Sequence, residues 1–554
     1  MPLPISDPKA IWPPENLTPI FQHMRQWSAW YSNELATLQL AYGGGVAQDS
    51  TGFFASDQGG FKATVGRTLQ RWFVGQRTLG PNRNEKLPVP IAAMICQAVS
   101  DLLYAEPPTF TVRIDTDNDG NGASASEANP TQERLNQLAD DMLYGTLAQG
   151  AELGAVLGGH FLRVVWDMAV IPDRPFLDVV DADQALPEFR WGRLVAVTFW
   201  RVIAREGNTV WRHLERHELD TRGYGVIIHG LYEGEDDKLG IRVDLASRPE
   251  TFALSVLTQA SAVAGQVDSM SPGLCVEYIP NLGPNRLWRT DSVGRYLGRS
   301  SLDGVEHLMD QLAETLSDWM LARRSARAKV FYDKSLTSSA GPGQGAVIDL
   351  DQDVFVGVSE KISGPNVKMS DKIQVLQPTF NTAEYESTAT MLIQQILQMS
   401  GFALQTFGYL PSGMRTQADT TATEIESRER RTFLMRGRVI RTAIPHLSSV
   451  LSKLLAVDRV VFGTPNVDAP IWVEFPDSVT ESQLRLAQTV QTLFTGESAS
   501  RIERIKIMHP DWNDDMWDAE LKLQEKEFAA PTVVDPMAVP PEAPVVSGDG
   551  SAAE

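Results

Sequence analysis

Apolar residues between Ser301 and Gly401 recur at helical spacing in two runs, and a stretch with strand-like alternation separates the runs. The apolar positions of the first run lie three and four residues apart: Leu302, Val305, Leu308, Met309, Leu312, Leu316, Trp319 and Met320. The second run has the same spacing at Met391, Leu392, Ile396, Leu397 and Met399, and it stops at Gly401. The pattern predicts two helices that flank a small β insert, like a stalk with a tip.

Charged residues occupy the rest of the first run. Four acids lie on the face opposite the apolar stripe: Glu306, Asp310, Glu314 and Asp318. Four basic residues lie where the helix meets the insert: Arg323, Arg324, Arg327 and Lys329. Compensation of the helix dipole is sufficient to explain the basic group, and contact with nucleic acid is the alternative.

The remaining chain reads as a mixture of helices and strands. We predict a helix over Ile20–Tyr42, one helix over residues 131–158, and a β-rich region from about 160 to 280. After Gly401, glycine and proline exclude a single regular helix until Ala422–Val457, where a long helix with Pro445 inside it should kink. The fold class predicted from these patterns is α+β.

Composition narrows the function classes. The 554 residues carry a formal net charge of −21, which argues against a conventional sequence-reading DNA-binding protein. The two cysteines, Cys96 and Cys275, have no CxxC partner, so the sequence predicts neither a disulfide framework nor a zinc site. No apolar run is long enough for a transmembrane helix, and the N-terminus lacks the pattern of a signal peptide. We therefore expect a soluble protein with no membrane partner.

Motifs for catalysis or nucleotide binding are weak or missing. Gly60, Gly66, Arg67 and Thr68 imitate a phosphate loop, but the spacing is one residue too long and arginine replaces lysine. No GxSxG or HExxH motif occurs. The sequence therefore predicts no catalytic residue and no cofactor.

Three clusters have metal-ligand residue types, and each has a simpler interpretation. Asp115, Asp117 and Asp119 resemble the start of a calcium loop, but Ser126 stands where the bidentate glutamate should be, which favours a solvated loop. His213 and His217 lack a third ligand, which favours a strand or turn with surface charge. His307, Asp310 and Glu314 share one helical face, which favours a solvated or intersubunit surface. We predict no metal site.

An arginine-rich segment stands out in this acidic chain. It contains Arg428, Arg430, Arg431, Arg436, Arg438 and Arg441, with Glu424, Glu426 and Glu429 interleaved. The interleaving favours a helix with ion pairs four residues apart. Direct DNA contact and salt bridges to a neighbouring copy of the chain are the two alternatives.

Several segments, taken in order, resemble the portal proteins of tailed bacteriophages, and the SPP1-type portals of actinobacteriophages in particular. The segments are PVPIAAMICQAVSDLLYAEPPTF, IPNLGPNRLWR, GRSSLDGVEHLMDQLAETLSDWM and QTFG followed by TATEIESRERR. The resemblance runs from about residue 20 to 525. It rests on the order and spacing of the segments rather than on one diagnostic motif.

The resemblance implies a ring-shaped assembly in which each copy has a wing, a helical stem, a β-containing clip and a crown-like C-terminal part. The implied regions are an arm and wing at 1–300, stem helices at 301–328 and 380–402, a clip at 329–379, a tunnel loop at 403–421, a kinked wing helix at 422–457, a crown-like region at 458–528 and a disordered tail at 529–554. The tunnel-loop candidates are Gln405, Thr406, Tyr409, Leu410, Pro411, Ser412, Gly413, Met414 and Arg415.

The resemblance also implies function and partners. A portal forms a dodecameric ring at one capsid vertex, and double-stranded DNA is packaged and ejected through its channel without sequence recognition. The implied partners are terminase, head-completion or adaptor proteins, and the major capsid and scaffolding proteins. The implied location is the virion, after assembly in the host cytoplasm. Another capsid-associated adaptor or scaffold, and a DNA-packaging enzyme, are the competing hypotheses.

Overall fold

The computed structural model describes most of the chain in separate ranges. These are residues 3, 10–34, 36–38, 89–113, 129–258, 265–326, 329–333, 355–358, 373–376, 381–408, 422–476, 483–496, 498–509 and 514–527. All structural statements below concern these residues. The calcium-loop imitation at Asp115–Asp119, the phosphate-loop imitation at Gly60–Thr68 and the predicted tail at 529–554 lie outside them.

Helices and strands both contribute to the fold, as predicted for an α+β protein. The helices are α1 (Thr18–Ser32), α2 (Ile91–Tyr104), α3 (Pro130–Leu138), α4 (Asp141–Leu157), α5 (Pro249–Thr258), α6 (Glu306–Ser325), α7 (Thr382–Ser400), α8 (Ala422–Phe462), α9 (Gln483–Thr495), α10 (Arg501–Met508) and α11 (Asp514–Glu527). The strands are β1 (Thr109–Val112), β2 (Gly159–Val165), β3 (Phe176–Asp181), β4 (Ala185–Arg190), β5 (Arg193–Glu206), β6 (Thr209–Leu219), β7 (Tyr224–Gly234), β8 (Ile241–Val243), β9 (Gln266–Pro272), β10 (Val276–Pro280), β11 (Lys329–Asp333), β12 (Phe355–Val358), β13 (Ile373–Leu376) and β14 (Ile471–Glu474).

The β-rich region predicted between residues 160 and 280 is confirmed, and it forms two sheets. Strands β4-β5-β6-β7-β8 run in that order in one antiparallel sheet, and β9 joins it by pairing with β7. Strands β10-β2-β3 form the second sheet. A separate two-stranded pairing of β1 with β14 joins chain segments more than 350 residues apart, with Thr109 opposite Glu474.

The single helix predicted over residues 131–158 is wrong, because two helices occupy this stretch. Ala139 leaves helical geometry with ψ near 62°, and the Asp140 side chain caps the new helix by accepting from Leu143 N–H. The same carboxylate pairs with Arg174 at 2.7 Å, which also holds the break in place. Capping residues favour helix starts, and this aspartate overrides an apolar periodicity that continues through it.

The predicted helix Ile20–Tyr42 also ends early. Helix α1 stops at Ser32 because Asn33 adopts a left-handed conformation with φ of 56°. The long helix predicted over Ala422–Val457 continues further than expected, to Phe462, and Pro445 lies inside it.

Helix α8 connects two hydrophobic cores. Its Met435 and Val439 belong to the core built on α1, α2, α4 and the helices α6 and α7. From Ala443 onward, its buried residues belong to the core between α3, β2, β3, β1 and β14. The N-terminal part of α8 therefore packs where α6 and α7 enter the fold.

The chain divides into two compact units, Met1–Pro476 and Asp477–Glu554. The boundary falls inside the predicted crown-like region 458–528, because β14 pairs with β1 and so belongs to the first unit. Helices α9, α10 and α11 belong to the second unit.

Candidate functional site

Helices α6 and α7 pack against each other as an antiparallel pair. Trp319 near the end of α6 stacks on Tyr385 near the start of α7, with ring centroids 6.3 Å apart and an interplanar angle of 4°. At the other end of the pair, the apolar stripes of both helices enter the first core through Met309, Leu312 and Ile396. The predicted stalk is therefore anchored at one end and less buried at the other.

The three-stranded sheet β12-β11-β13 lies in the insert between the two helices. Strand β11 follows α6 closely and β13 precedes α7, so the ends of the insert are joined by an antiparallel pair in which Lys329 is opposite Leu376. Strand β12 runs parallel to β11 on its other edge. The β character predicted for the insert is therefore present.

Hydrogen bonds to other segments fix the residues that precede α6. Helix α6 begins at Glu306 instead of Ser301, because residues 301–305 form turns. Ser301 N–H donates to Ala155 O at 2.9 Å, and Asp303 accepts from Arg286 Nε at 2.8 Å.

The four acids of α6 differ in environment. Glu306 accepts from Trp27 Nε1 at one carboxylate oxygen and from Gly304 N–H at the other, both at 2.7 Å. Asp310 is half-buried, whereas Glu314 and Asp318 are exposed. The acidic surface of α6 is thus concentrated in the half that lies farther from the core, and Glu306 has a positioning role at the base.

The predicted basic junction is only partly described. Arg323 is exposed near the end of α6. Arg327 and the side chains of Arg324 and Lys329 lie outside the described residues.

The first residues of the predicted tunnel loop are bonded to α8. Thr432 Oγ1 accepts from Ala403 N–H at 2.8 Å and lies 2.9 Å from Thr406 Oγ1. Phe402 is fully buried, and its ring meets that of Phe407 at 5.3 Å. Of the loop candidates, Gln405 and Thr406 therefore belong to this anchored turn, and Tyr409, Leu410, Pro411, Ser412, Gly413, Met414 and Arg415 lie outside the described residues.

The structure separates the arginines of α8 into two groups. Arg436 points into the fold, where its Nε donates to Leu102 O at 2.6 Å and its Nη2 donates to Pro476 O at 2.7 Å. Arg430, Arg431 and Arg438 are exposed, and within the described part of the chain no ion pair joins them to an acid. The side chain of Arg428 lies outside the described residues.

A buried polar cluster in the large sheet was not predicted. His213 and His217 were expected to be at the surface of a strand or turn, and the surface position is wrong. The two histidines alternate with Glu215 on β6, and register places His229 of β7 opposite Glu215. All four side chains consequently share one face of the sheet, and Arg163 of β2 reaches Glu215 at 2.7 Å. The i, i+2 spacing of polar residues on a strand was the signal that could have indicated this cluster.

Hydrogen bonds and charge set the protonation of this cluster. Burial by itself would raise the pKa of Glu215, but the Arg163 charge and a 2.7 Å hydrogen bond with His217 Nε2 hold it well below its usual value. Burial, reinforced by the neighbouring His229, lowers the pKa of His213 to about 3. The rings of His213 and His229 stack with centroids 5.3 Å apart, and Nε2 and Nδ1 approach to 3.2 Å. Both are therefore neutral near pH 7.

The described residues contain neither a candidate metal cluster nor a membrane-spanning helix. Within those ranges, no group of three or more His, Cys, Asp or Glu side chains has the geometry to hold a metal ion. The described helices include none that is both long and apolar enough to cross a bilayer.

Comparison with known proteins gives structural neighbours but no family assignment. No protein-family model matches the sequence, and no curated protein matches it either. The virion of a native gene transfer agent particle contains a chain that is 11% identical, with a TM-score of 0.36 over 80% of this chain and 98% of that chain. The neck of the native particle, computed with C12 symmetry, contains a chain that is 12% identical, with a TM-score of 0.37 and the same coverage.

Proposed function

We propose that this chain is the subunit of a portal ring, an SPP1-type conduit for double-stranded DNA at one vertex of a phage capsid. One observation carries the proposal. Two antiparallel helices are separated in sequence by a small three-stranded sheet. At the anchored end of the pair, a turn bonded to Thr432 comes before a 41-residue helix that contains a proline. This order of parts is the one that the sequence resemblance implies for stem, clip, tunnel loop and wing helix.

The proposed parts follow from this order. Helices α6 and α7 are the stem, the sheet β12-β11-β13 belongs to the clip at 329–379, and the residues after Phe407 form the tunnel loop within 403–421. Helix α8 crosses the wing, to which residues 1–300 contribute most. The region 458–528 supplies the crown-like part, of which β14 packs with the first unit.

The charge of the chain suits a conduit that does not grip DNA. Twelve copies at −21 each would carry roughly −250, and an acidic channel wall repels phosphate so that DNA slides. The bore-facing candidates are the acids of α6, namely Glu306, Asp310, Glu314 and Asp318. Glu314 and Asp318 are the stronger two because both are exposed, whereas Glu306 is engaged by Trp27 and Gly304.

Basic residues at the clip end would guide DNA without holding it. Arg323, Arg324, Arg327 and Lys329 come between the stem and the clip in sequence, so a ring would repeat this group around the entrance. Few contacts per copy keep the interaction weak at cellular salt. The proposed role is structural and not enzymatic, with terminase and head-completion proteins docking at the clip.

Electron microscopy of the purified chain tests the proposal. We expect ring-shaped particles with a central hole and a rotational symmetry close to twelve. Particles without a hole would contradict the portal role and favour a capsid-associated adaptor or scaffold. ATP hydrolysis by the purified chain would favour a DNA-packaging enzyme instead.

A deletion tests the proposed tunnel loop separately. Removing residues 410–414 should leave ring assembly intact, because Thr406 and Thr432, which contact each other on either side of the deleted residues in sequence, are both retained. We expect DNA packaging into heads to be impaired. Rings that package DNA at the wild-type level would contradict the assignment of this loop.

A further inference from the structure

One face of α8 combines exposed arginines with an exposed leucine. Arg430, Arg431, Leu434, Arg438 and Arg441 are all exposed, and their spacing of three, four and seven residues places them on the same side of the helix. The face extends about 16 Å along the axis at 1.5 Å per residue. Leu434 lies at its centre and is 62% exposed. We call these five residues the arginine face.

The apolar centre of this face favours a protein partner over DNA. A surface that only contacts phosphates needs cations, and a leucine there contributes nothing to the attraction. A leucine surrounded by arginines instead resembles the core and rim of a protein interface, in which arginine is enriched. The partner must therefore present apolar side chains and must not present a basic surface.

Helix α7 presents such a surface. Met391 and Met399 are 52% and 54% exposed, and Gln395 and Gln398 are exposed beside them on the same side. No lysine or arginine occurs anywhere in α7, and Glu384 is exposed at its first turn. The last turn of α7 has no basic residue to compensate the helix dipole, so arginines from outside would be favourable there.

In a cyclic ring, these two surfaces of neighbouring copies lie at the same position along the rotation axis. Within one copy, the end of α7 packs against the buried side of α8, opposite the arginine face but at the same level along the helix, because a Cβ at Gly401 would lie 3.3 Å from Met435 Cγ and Ala403 N–H donates to Thr432 Oγ1. Successive copies of a cyclic ring are related by rotation alone, which keeps each segment at its distance along the axis. The end of α7 in one copy is therefore level with the arginine face of the next.

We propose that the arginine face of α8 packs on the exposed methionine surface of α7 in a second copy of this chain. The contact is heterologous, because it joins two different surfaces and leaves each copy with one of each for its other neighbour. Leu434 contacts the methionines, and the arginine side chains cover them with their aliphatic stems while their charged heads meet the C-terminal turn of α7. The inference rests on the proposed ring and names the surfaces that close it.

Disulfide trapping between two single variants tests the contact. Chains with Leu434→Cys and chains with Met399→Cys are assembled together and oxidised, and the products are separated without reductant. Cys96 and Cys275 are both buried and do not compete. We expect a covalent dimer in the mixture and in neither variant by itself. The matched control replaces Met399→Cys by Met142→Cys, since Met142 is 71% exposed on α4, and it should give no dimer.

Substitutions on the same face give a second measurement. Leu434→Glu and Arg438→Glu should each raise the concentration needed for assembly about tenfold or more, because both side chains lie in the centre of the contact. Met142→Glu should leave that concentration unchanged. Both replaced residues on α8 are exposed, so the isolated chain should unfold at the wild-type temperature.

The outcomes separate this inference from the proposed function. Rings that form without the trapped dimer, or that assemble normally with Leu434→Glu, would overturn the contact and leave the portal role intact. Variants that assemble normally but lose DNA association would assign the arginine face to the DNA backbone, which also overturns the contact. A wild-type chain that forms no ring would contradict the proposed function itself.

Discussion

Arg436 and Arg438 are two residues apart on α8 and have opposite roles. Arg436 is directed into the fold and satisfies the carbonyl groups of Leu102 and Pro476, which belong to segments far apart in sequence. Arg438 is exposed. The rotation of about 200° between the two positions on a helix explains the difference. A count of arginines in this segment therefore overstates the surface charge that is available to a partner.

Replacing Arg436 should destabilise the chain. Arg436→Ala removes a charged donor from two carbonyl groups, and hydrogen bonds to charged groups contribute about 1.5–3 kcal/mol each. Because Arg436 is only half-buried, water can replace part of both bonds, and we expect the free energy of unfolding to fall by about 2–4 kcal/mol. Urea denaturation of the monomeric chain measures this change. The control Arg438→Ala should change it by less than about 0.5 kcal/mol, as for other exposed sites. Equal effects of the two changes would contradict the assigned roles.

The buried histidines should make stability depend on pH. The pKa of His213 is lowered to about 3 in the fold, from an ordinary value of 6.5, first by burial and then by His229. The unfolded chain therefore binds more protons below pH 6.5, so stability is complete above that pH and is lost as the pH falls. One such group contributes a slope of about 1.4 kcal/mol per pH unit.

Denaturation between pH 7.5 and 5 measures this slope. The variant His213→Phe removes the titrating group and should reduce the loss of stability per pH unit, whatever its effect on stability at pH 7.5. His229 remains and, since burial also lowers its pKa, it should retain part of the slope. A slope identical to that of the wild type would show that His213 does not titrate in the unfolding transition.

At the scale of elements, α4 shows how one helix is adapted to its neighbour. Gly150 and Gly154 leave room for the buried ring of His160 on β2, and a Cβ at Gly154 would lie 2.6 Å from His160 Nδ1. Gly145 on the same helix is exposed and would meet nothing within 4 Å. Packing against His160 therefore requires glycine at positions 150 and 154 of α4, but no neighbouring atom requires it at position 145.

Alanine substitutions distinguish these glycines. Gly154→Ala should destabilise the chain by about 1–3 kcal/mol, because the imidazole ring or the helix must shift in a close-packed interior. Gly145→Ala should stabilise it by about 0.5–1 kcal/mol through the entropy of the unfolded backbone. Thermal unfolding of both variants gives the comparison. A stabilising Gly154→Ala would show that the His160 ring can move away without cost.

At the scale of the whole molecule, two compact units divide the chain after Pro476. The first unit contains the hydrophobic cores, including the one in which β1 pairs with β14. Asp458 in that unit is fully buried and binds Arg134 at 2.8 Å, together with Thr464 and Asn466. Burial would raise the pKa of Asp458, but these hydrogen bonds lower it below its usual value. The C-terminal part of the first unit is therefore joined to its N-terminal half by a sheet at β14 and by an ion pair at the end of α8.

Truncation tests the independence of the first unit. A chain that ends at Pro476 should keep a cooperative unfolding transition, because it retains β14, Asp458 and the Arg436 contact to Pro476. A chain that ends before Ile471 should lose much of its stability, because β1 then has no partner strand in this sheet. Calorimetry compares the two. Non-cooperative unfolding of the longer chain would contradict the division.

The periodicity of apolar residues was sufficient for the helix pair and its insert. The apolar stripes of α6 and α7 are local patterns, and Leu312 and Ile396 are buried as their spacing predicts. Met320, Met391 and Met399 were counted in the same stripes, but they are exposed. The helix boundaries were less predictable. The side chain of Asp140 starts a new helix within one helical run, and the left-handed backbone of Asn33 ends another. Each effect comes from one residue and overrides the hydrophobic pattern around it.

The candidate site also has features that spacing predicted and contacts that it could not predict. The acids of α6 were predicted as one face, but the contact of Glu306 with Trp27 joins residues 279 positions apart and could not be read from spacing. His213 and His217 were expected in a strand or turn with surface charge. Both are buried beside Glu215, whose carboxylate pairs with Arg163 from a different sheet.

By itself, the sequence determined most of the segments that form helices and strands, the α+β class and the acidic charge, because these depend on neighbouring residues and on totals. The tertiary structure decided which arginines of α8 are available, which histidines are buried, and that β14 completes the first unit. Those outcomes depend on contacts between residues tens to hundreds of positions apart. Such contacts form only when the closure of long loops is offset by burial and pairing, and no local pattern records them.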